Sequence, residues 1–192
     1  MKNIGTIELE SNRLLFRKAR INDSKDMFNN WASDKEVTKY LSWDAYEKEE
    51  NAVSYLKYLE EEYTKDNFYN WIVVSKEDNT PIGTIGAVDI DIKNNTIEIG
   101  YCYGRKWWGK GLATESLKRV IKFFFEEVEV ETIYADHIDA NPASGKVMEK
   151  TGMKYEGIMR KRVLNKVTKK KADLIYYSIT KEDYFKGDNH EN

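Results

Sequence analysis

Gly104-Arg105-Lys106-Trp107-Trp108-Gly109-Lys110-Gly111-Leu112-Ala113-Thr114-Glu115 is the stretch whose reading decides the fold. Before it, Thr96-Ile97-Glu98-Ile99-Gly100-Tyr101-Cys102-Tyr103 reads as a strand. Behind it, Ala113, Leu117, Val120, Ile121 and Phe124 recur at helical spacing and make one apolar face. Two glycines at a strand-to-helix junction let bare backbone approach a ligand closely. A helix start adds unpaired N–H groups and a partial positive charge, which together favour an anion, typically phosphate. Lys106 and Lys110 place cations beside that cradle. The dinucleotide fingerprint G-x-G-x-x-G is excluded, because Thr114 occupies the third glycine position. The triphosphate loop is excluded too, because no Gly-Lys is followed by Ser or Thr.

Outward from the cradle, the pattern predicts a strand over 13–18, a helix over 24–34 capped by Asn22 or Asp23, and a loop through Asp44-Ala45-Tyr46. A second helix is expected over 47–63, then strands over 70–74, 81–88 and 96–103 in hairpin order. After the cradle helix come a strand over 131–138, a helix over 142–151 with Pro142 in its first turn and Gly152 at its stop, and strands near 155–163 and 172–179. The order is β-α-α-β-β-β-α-β-α-β-β. It predicts an α/β (α+β) domain with a mixed, mostly antiparallel central sheet and helices on both faces. One domain over residues 8–185 is expected, with a frayed tail at 186–192.

A chain of 192 residues is long enough for one well-filled core. Charged residues reach 33%, yet the net charge is only −2, which gives no support to general nucleic-acid binding. The single cysteine, Cys102, excludes an intramolecular disulfide and suits a reducing compartment. No apolar run approaches a membrane span, and the opening residues lack a signal-peptide core, so a cytoplasmic location is expected. Two histidines and one cysteine cannot build a typical zinc set, and no metal site is expected. Without G-x-S-x-G, a serine hydrolase is unsupported.

Trp108-Gly109-Lys110-Gly111-Leu112-Ala113-Thr114-Glu115 after Glu98-Ile99-Gly100-Tyr101 resembles the pyrophosphate-binding segment of the GNAT superfamily of acyl-CoA N-acyltransferases, in its RimJ/RimL-type branch. A second block is similar to the same family: Asp139-Ala140-Asn141-Pro142-Ala143-Ser144, then Glu149-Lys150-Thr151-Gly152-Met153 and Glu156-Gly157. Met153 stands where the family usually has Phe. The amino-terminal pattern (Arg13, Leu14, Arg17, Asp23 and Val37–Leu41) matches more loosely.

The resemblance implies an acetyl-CoA-dependent N-acetyltransferase acting by direct attack of a primary amine. The branch implies a protein N-terminal amine as acceptor; an aminoglycoside, polyamine or amino acid is the alternative, as is a non-catalytic acyl-CoA sensor. It implies that the backbone of Tyr101, Cys102 and Tyr103 pairs with the cofactor's amide groups. Trp108, Gly109, Lys110, Gly111, Leu112, Ala113 and Thr114 would take its pyrophosphate, with Lys106 where the family prefers Gln or Arg. Asn141 would bond the pantetheine arm, and Ser144 would sit near the thioester sulfur. Both are also readable as helix-cap residues, since Asn and Ser favour that role.

Glu98 is the candidate general base on the acceptor side, with a structural carboxylate as its other reading. A glutamate that some relatives carry beyond the Glu-Gly turn is absent, for Arg160-Lys161-Arg162-Val163 stands there. Trp43 and Tyr46 are expected to wall the acceptor groove. The run Lys166-Val167-Thr168-Lys169-Lys170-Lys171 reads as a solvated hairpin tip. Expected partners are acetyl-CoA and an amine acceptor, with no membrane or direct nucleic-acid contact; the oligomeric state, monomer or homodimer, is open.

Overall fold

Alternation along Thr96–Tyr103 puts Ile97, Ile99 and Tyr103 into one core, while Glu98, Gly100 and Cys102 face the other side of the sheet. In the computed structural model, which describes residues 1–188, this strand is β5 of an eight-stranded sheet. The strands are β1 (Leu9–Glu10), β2 (Leu14–Arg17), β3 (Asn70–Ser75), β4 (Thr80–Asp91), β5 (Thr96–Tyr103), β6 (Thr132–Ile138), β7 (Lys154–Leu164) and β8 (Lys171–Thr180). Their spatial order is β1-β2-β3-β4-β5-β6-β8-β7, and every neighbouring pair is antiparallel except β5–β6.

The parallel pair is short. Thr96, Ile97 and Glu98 sit opposite Thr132, Ile133 and Tyr134, and the pairing then stops. β5 continues along β4 to Tyr103, and β6 continues along β8 to Ile138, so the two strands part. A bulge in β4 between Ala87 and Asp89 lies opposite Glu98 and Ile99, at the level where they separate. Bulges bend a strand and raise its local twist, which gives the parting a local cause. The extra residue, Val88, comes so close to Gly100 that a Cβ there would meet Val88 Cγ2 at 2.5 Å.

Two helical layers close the sheet. On one face lie α4 (Leu112–Phe123) and α5 (Pro142–Glu149); on the other lie α1 (Ser24–Met27), α2 (Lys35–Thr38) and α3 (Glu49–Glu62). β3 is buried on both faces: Trp71 and Val73 join the α4 core, and Ile72 and Val74 the α3 core. An aromatic cluster of Tyr69, Trp71, Phe123 and Phe124 fills the first, with Tyr69 and Phe124 edge-to-face at 5.2 Å.

The sequence reading differs from the structure at helix ends and at the chain's start. The helix expected over 24–34 is α1 followed by a π-helical turn, Phe28–Ala32, and α4 runs on into a second, Phe124–Val128. Asp23 does not cap α1 with its side chain. Its carboxylate instead accepts from the Arg17 guanidinium at 2.7 and 2.8 Å and from the Arg20 N–H at 2.7 Å. A short α2 lies between that helix and the loop at 44–46, where no helix was expected, because Asp34 caps it by accepting from the Glu36 N–H.

Residues before 8 are bound to the fold: Lys2 N–H donates to the Val128 carbonyl and Gly5 N–H to that of Asp66. A last helix, α6 (Lys181–Asp188), takes in the start of the tail expected to fray; the rest of that tail lies outside the described residues. Among the described residues no helix is long and apolar enough to cross a membrane.

Candidate active site

The chain leaves β5 through Gly104 and one tight turn, Arg105–Trp107, with Trp107 buried in the core. Trp108 is 49% exposed, but its indole N–H donates to the Tyr103 carbonyl at 2.6 Å and ties the loop to the strand end. Gly109 (φ +72°) and Gly111 (φ +78°) are both left-handed, a conformation costly for residues with a Cβ. Gly111 stands at the N-cap of α4 and has no side chain to cap it. The first intrahelical bond runs from Glu115 N–H to the Gly111 carbonyl, which leaves the Leu112, Ala113 and Thr114 N–H groups without helical acceptors.

Glu115, in that first turn, faces away and braces the site from behind. It accepts from Ser11 Oγ, the Arg13 N–H and Arg13 Nε at 2.8, 2.8 and 2.6 Å. Burial opposes its charge, but these donors outweigh it and hold the carboxyl below its ordinary range. Arg13 also donates to the Lys110 carbonyl, so the loop is fixed from outside.

Where β5 and β6 part, a cleft of about 410 Å³ opens. Tyr101, Cys102 and Tyr103 line it along β5; Trp108, Gly109, Gly111, Leu112, Ala113 and Thr114 line the loop side; Asn141 and Ser144 line the α5 side. Sequence reading named all of these. Five other named residues lie outside the lining. Lys106 packs its Nζ 5.2 Å over the Trp107 ring, and Lys110 is held through its carbonyl. Trp43 and Tyr46 pack with tilted rings, centroids 5.3 Å apart, beside the α3 core, and Lys166 Nζ donates to the Trp43 carbonyl at 2.5 Å and pairs with Asp44 at 3.1 Å. The hairpin tip is thus pinned to the 42–47 loop at this lysine.

Glu98, the fifth, lies roughly 10 Å along the strand from Tyr101, on the α1–α3 face. Partial burial raises its carboxyl pKa, and the neighbouring Asp136 and Asp89 charges push the same way.

Asn141 occupies the N-cap of α5, yet its side chain makes no capping bond. Ser144 sits two positions inside the helix, and its hydroxyl lies 3.0 Å from the Tyr101 hydroxyl, which is also 3.2 Å from the Ser144 carbonyl. The helix-cap reading of these two side chains therefore finds no bond to rest on. His137 is buried against Tyr177, with Nδ1 2.8 Å from the Ile138 carbonyl. Burial pushes the Cys102 thiol up to about 11, which makes it a poor nucleophile. Among the described residues, no set of three His, Cys, Asp or Glu side chains is arranged to hold a metal ion.

The cleft wall also contains residues that the sequence reading did not assign to a site: Val37 in α2 with Tyr40 and Leu41 after it, and Ala143, Lys146 and Val147 on α5 with Lys150 at its C-cap. The signal for the second group was present. Ala143, Val147 and Lys150 repeat at helical spacing beside Ser144, so a helix presenting Ser144 presents them too.

A family model described as the acetyltransferase (GNAT) domain matches residues 13–154. The chain belongs to the GNAT acetyltransferase family. It is 29% identical over 176 residues to the uncharacterized N-acetyltransferase p20 of Bacillus licheniformis, covering 92% of this chain and 97% of the relative. Two solved GNAT-like structures share the fold. The ribosomal-protein-S5-alanine acetyltransferase of Vibrio fischeri is 20% identical, with a TM-score of 0.80 over 93% of this chain and 98% of that one. The microcin C7 self-immunity acetyltransferase MccE, solved with acetyl-CoA and AMP, is 18% identical, with a TM-score of 0.79 over 88% and 93%.

Proposed function

We propose that this GNAT chain transfers the acetyl group of acetyl-CoA to a primary amine, with a protein N-terminal amine as acceptor. The observation that carries the reading is the cleft itself: an uncapped α4 N-terminus at one end, an open β5 edge along its floor, and the Ser144 hydroxyl at its α5 wall. Donor and cleft suit one another. Two left-handed glycines leave room for a pyrophosphate against free N–H groups, and a Cβ added at Gly109 would meet nothing within 4 Å. When bound, acetyl-CoA supplies a thioester whose carbonyl carbon accepts the amine.

The chain's own residues do the rest. The N–H groups at the start of α4 hold negative charge, with Lys146 and Lys150 adding cations on the opposite wall. Beyond its pairing with β6, the edge at Tyr101–Tyr103 offers backbone groups that would align an extended donor and polarise its carbonyl, the Tyr103 carbonyl being already taken by the Trp108 indole. Asn141 presents an amide free of capping duty. Glu98, its pKa raised by partial burial and the nearby Asp136 and Asp89 charges, is a stronger base than an ordinary carboxylate and is suited to take a proton from an ammonium through water. Trp43 and Tyr46 wall the approach on the α3 side.

The acceptor assignment draws on the fold shared with the ribosomal-protein-alanine enzyme and on the RimJ/RimL-type motifs. A second reading, a small polycationic amine, is favoured by one observation: Asp89, Glu98 and Asp136 interact across adjacent strands of the acceptor-side face, with Tyr134 and Tyr176 beside them.

The test is free-thiol release from acetyl-CoA against alanine-, serine- and methionine-initiated peptides, polyamines and aminoglycosides, with acetyl-CoA binding measured by calorimetry. Turnover on the peptides is expected. Turnover confined to polyamines would select the second reading, and absence of acetyl-CoA binding would overturn both.

A further inference from the structure

Charge is spread unevenly over this chain. From Lys154 to Lys171, β7 and the turn into β8 carry eight Lys or Arg against one acid, Glu156. That balance of +7 in a chain of net −2 leaves −9 on all other residues, so a cationic hairpin stands on an anionic body. Two of its cations are engaged: Lys154 pairs with Asp183, and Lys166 with Asp44. Among the described residues the other six, Arg160, Lys161, Arg162, Lys169, Lys170 and Lys171, make no ion pair, and all six are exposed.

The fold gathers these six and braces them. Met159 pairs with Leu174 and Val163 with Ala172, so Arg160, Lys161 and Arg162 together stand opposite Asp173 alone. Lys161 holds this bulge in a left-handed conformation, φ +55°, with its N–H donating to Asp173 Oδ1 at 2.7 Å. That carboxylate therefore serves the main chain and pairs with none of the cations. At the turn, Asn165 Oδ1 accepts from the Val167 and Thr168 N–H groups, and Lys169 is left-handed too. Lys166 then ties the turn to the Trp43 carbonyl and Asp44. Like charges held this close repel one another, and a bound anion relieves the repulsion. A bulged edge strand resists pairing with a further strand, so what the hairpin offers is side-chain charge.

The patch borders the acceptor face. Tyr176 pairs with Asp136 of β6 and lies between the two kinds of charge: burial raises its phenol, Asp136 and Glu98 push it further, and Arg162 draws it back. Glu98 is opposite Tyr134, and Tyr134 is opposite Ser178. From Ser178 to Ala172, beside the cations, β8 runs six residues, roughly 20 Å. An extended polypeptide covers that span in about six residues. A chain with its amine at Glu98 thus brings the residues that follow among the six cations. A polyamine is repelled there. RNA fits poorly, because no aromatic side chain stands between Glu156 and Lys171 to stack a base, and Asp89, Glu98 and Asp136 repel phosphate. Exposed Met159, Leu164 and Val167 among the cations suit a polypeptide's apolar side chains.

We propose that the β7–β8 hairpin is a docking surface for the acceptor polypeptide, selecting chains with acidic residues about five to eight positions after the N-terminal amine. The inference rests on the peptide-acceptor reading above. The hairpin touches no reacting atom, so it acts on encounter and KM and leaves kcat on a neutral acceptor unchanged.

The test uses three peptides with one shared sequence except at positions 5–8, which are all Glu, all Gln or all Lys. Free-thiol release from acetyl-CoA should give kcat/KM in the order Glu, Gln, Lys, with roughly tenfold between the first two at low ionic strength. The gap should close in 1 M salt, where the screening length falls to about 3 Å. A combined Arg160→Gln, Arg162→Gln, Lys170→Gln, Lys171→Gln variant leaves both left-handed lysines and the Lys166 tie in place. It should bring the Glu peptide to within about threefold of the Gln peptide, with KM for acetyl-CoA within about twofold. Equal kcat/KM for the Glu and Gln peptides, a preference that survives 1 M salt, or one that the variant retains would each overturn the assignment.

A second readout needs no turnover. Fluorescence anisotropy of the same peptides, labelled at the C-terminus and with coenzyme A present, should show about tenfold tighter binding of the Glu peptide to wild type and similar binding of both to the variant. A labelled RNA oligonucleotide that binds more tightly than the Glu peptide, and is released by the same variant, would make the hairpin an RNA surface and overturn the proposal. If no peptide is acetylated, the peptide-acceptor reading falls, and the binding comparison alone decides the hairpin.

Discussion

Two helices begin at the same cleft and do so in opposite ways. α4 starts on a left-handed glycine with no side chain, so it offers backbone N–H groups and a partial charge. α5 starts on Asn141 with Pro142 behind it, leaves its cap side chain unbonded, and presents the Asn141 amide and Ser144 hydroxyl. α2 shows the ordinary alternative, since the Asp34 carboxylate satisfies its first turn. A helix start that spends its N–H groups on a cap cannot hold an anion. The pair therefore divides the labour: α4 binds through main chain, and α5 works through side chains.

The sharpest way to break that contrast is at Gly111. Gly111→Val forces a β-branched residue to φ +78°, at a conformational cost of at least about 1–2 kcal/mol, and displaces the α4 N-terminus. Acetyl-CoA affinity measured by calorimetry should fall by on the order of 100-fold or more. Near-native affinity would mean that the α4 start is not the anion site.

At the α5 start the loss should appear in rate instead. Ser144→Ala should lower kcat by roughly 10- to 100-fold while leaving acetyl-CoA affinity within about threefold. A pure KM effect would make α5 a second binding end and erase the distinction.

Glu98 sharpens the comparison from the acceptor side. Its carboxyl is raised by partial burial and by Asp136 and Asp89. A base acts when ionised, so activity should rise with pH through that raised value. Glu98→Gln should remove this acidic limb, whereas Asp136→Asn should move it to lower pH. The stability effect has the opposite sense. A carboxyl whose pKa is higher in the folded state favours folding below the unfolded value and loses that contribution as pH rises through the folded one. Glu98→Gln should therefore melt no lower than wild type at pH values where the native carboxyl is ionised. An unaltered rate profile would return Glu98 to a structural role.

Lys146 and Lys150 should give the smallest effect, because both are exposed. Lys146→Ala should raise KM for acetyl-CoA by about two- to threefold at low ionic strength, and salt should abolish the difference. Salt-independent weakening would indicate packing instead.

Much of this was legible in the chain. Strand β5 coincides with the residues its alternation marked, and glycine spacing located the α4 start, because both are set by neighbours in sequence. Asp23 misled for an instructive reason: it carries a strong capping side chain, but Arg17 competes for that carboxylate, and only the fold brings the guanidinium to it. The same holds for the Tyr101–Ser144 bond, whose partners are 43 residues apart. A sequence marks each residue as useful and says nothing about which hydroxyl meets which. The Val37–Leu41 wall was hidden differently. The sequence offered only a loose amino-terminal match there and no role, whereas Val37 and Leu41 pack with the α3 core while also facing the cleft.

The short β5–β6 pairing has a mechanical consequence. The flank formed by β6, β8 and β7 is joined to the rest of the sheet by three residue pairs, and beyond them the seam is open. Across that joint the two parts are held mainly by side chains, since Ile133, Ala135 and Ile179 share one core with Trp71 and Val73. A molecule lying in the seam and touching both lips acts as a rivet. Its binding free energy is added to the cohesion of the two halves by mass action, about 2.7 kcal/mol at a ligand concentration one hundred times the dissociation constant. In that sense the sheet is one strand short, and its occupant adds to what the shared core already holds.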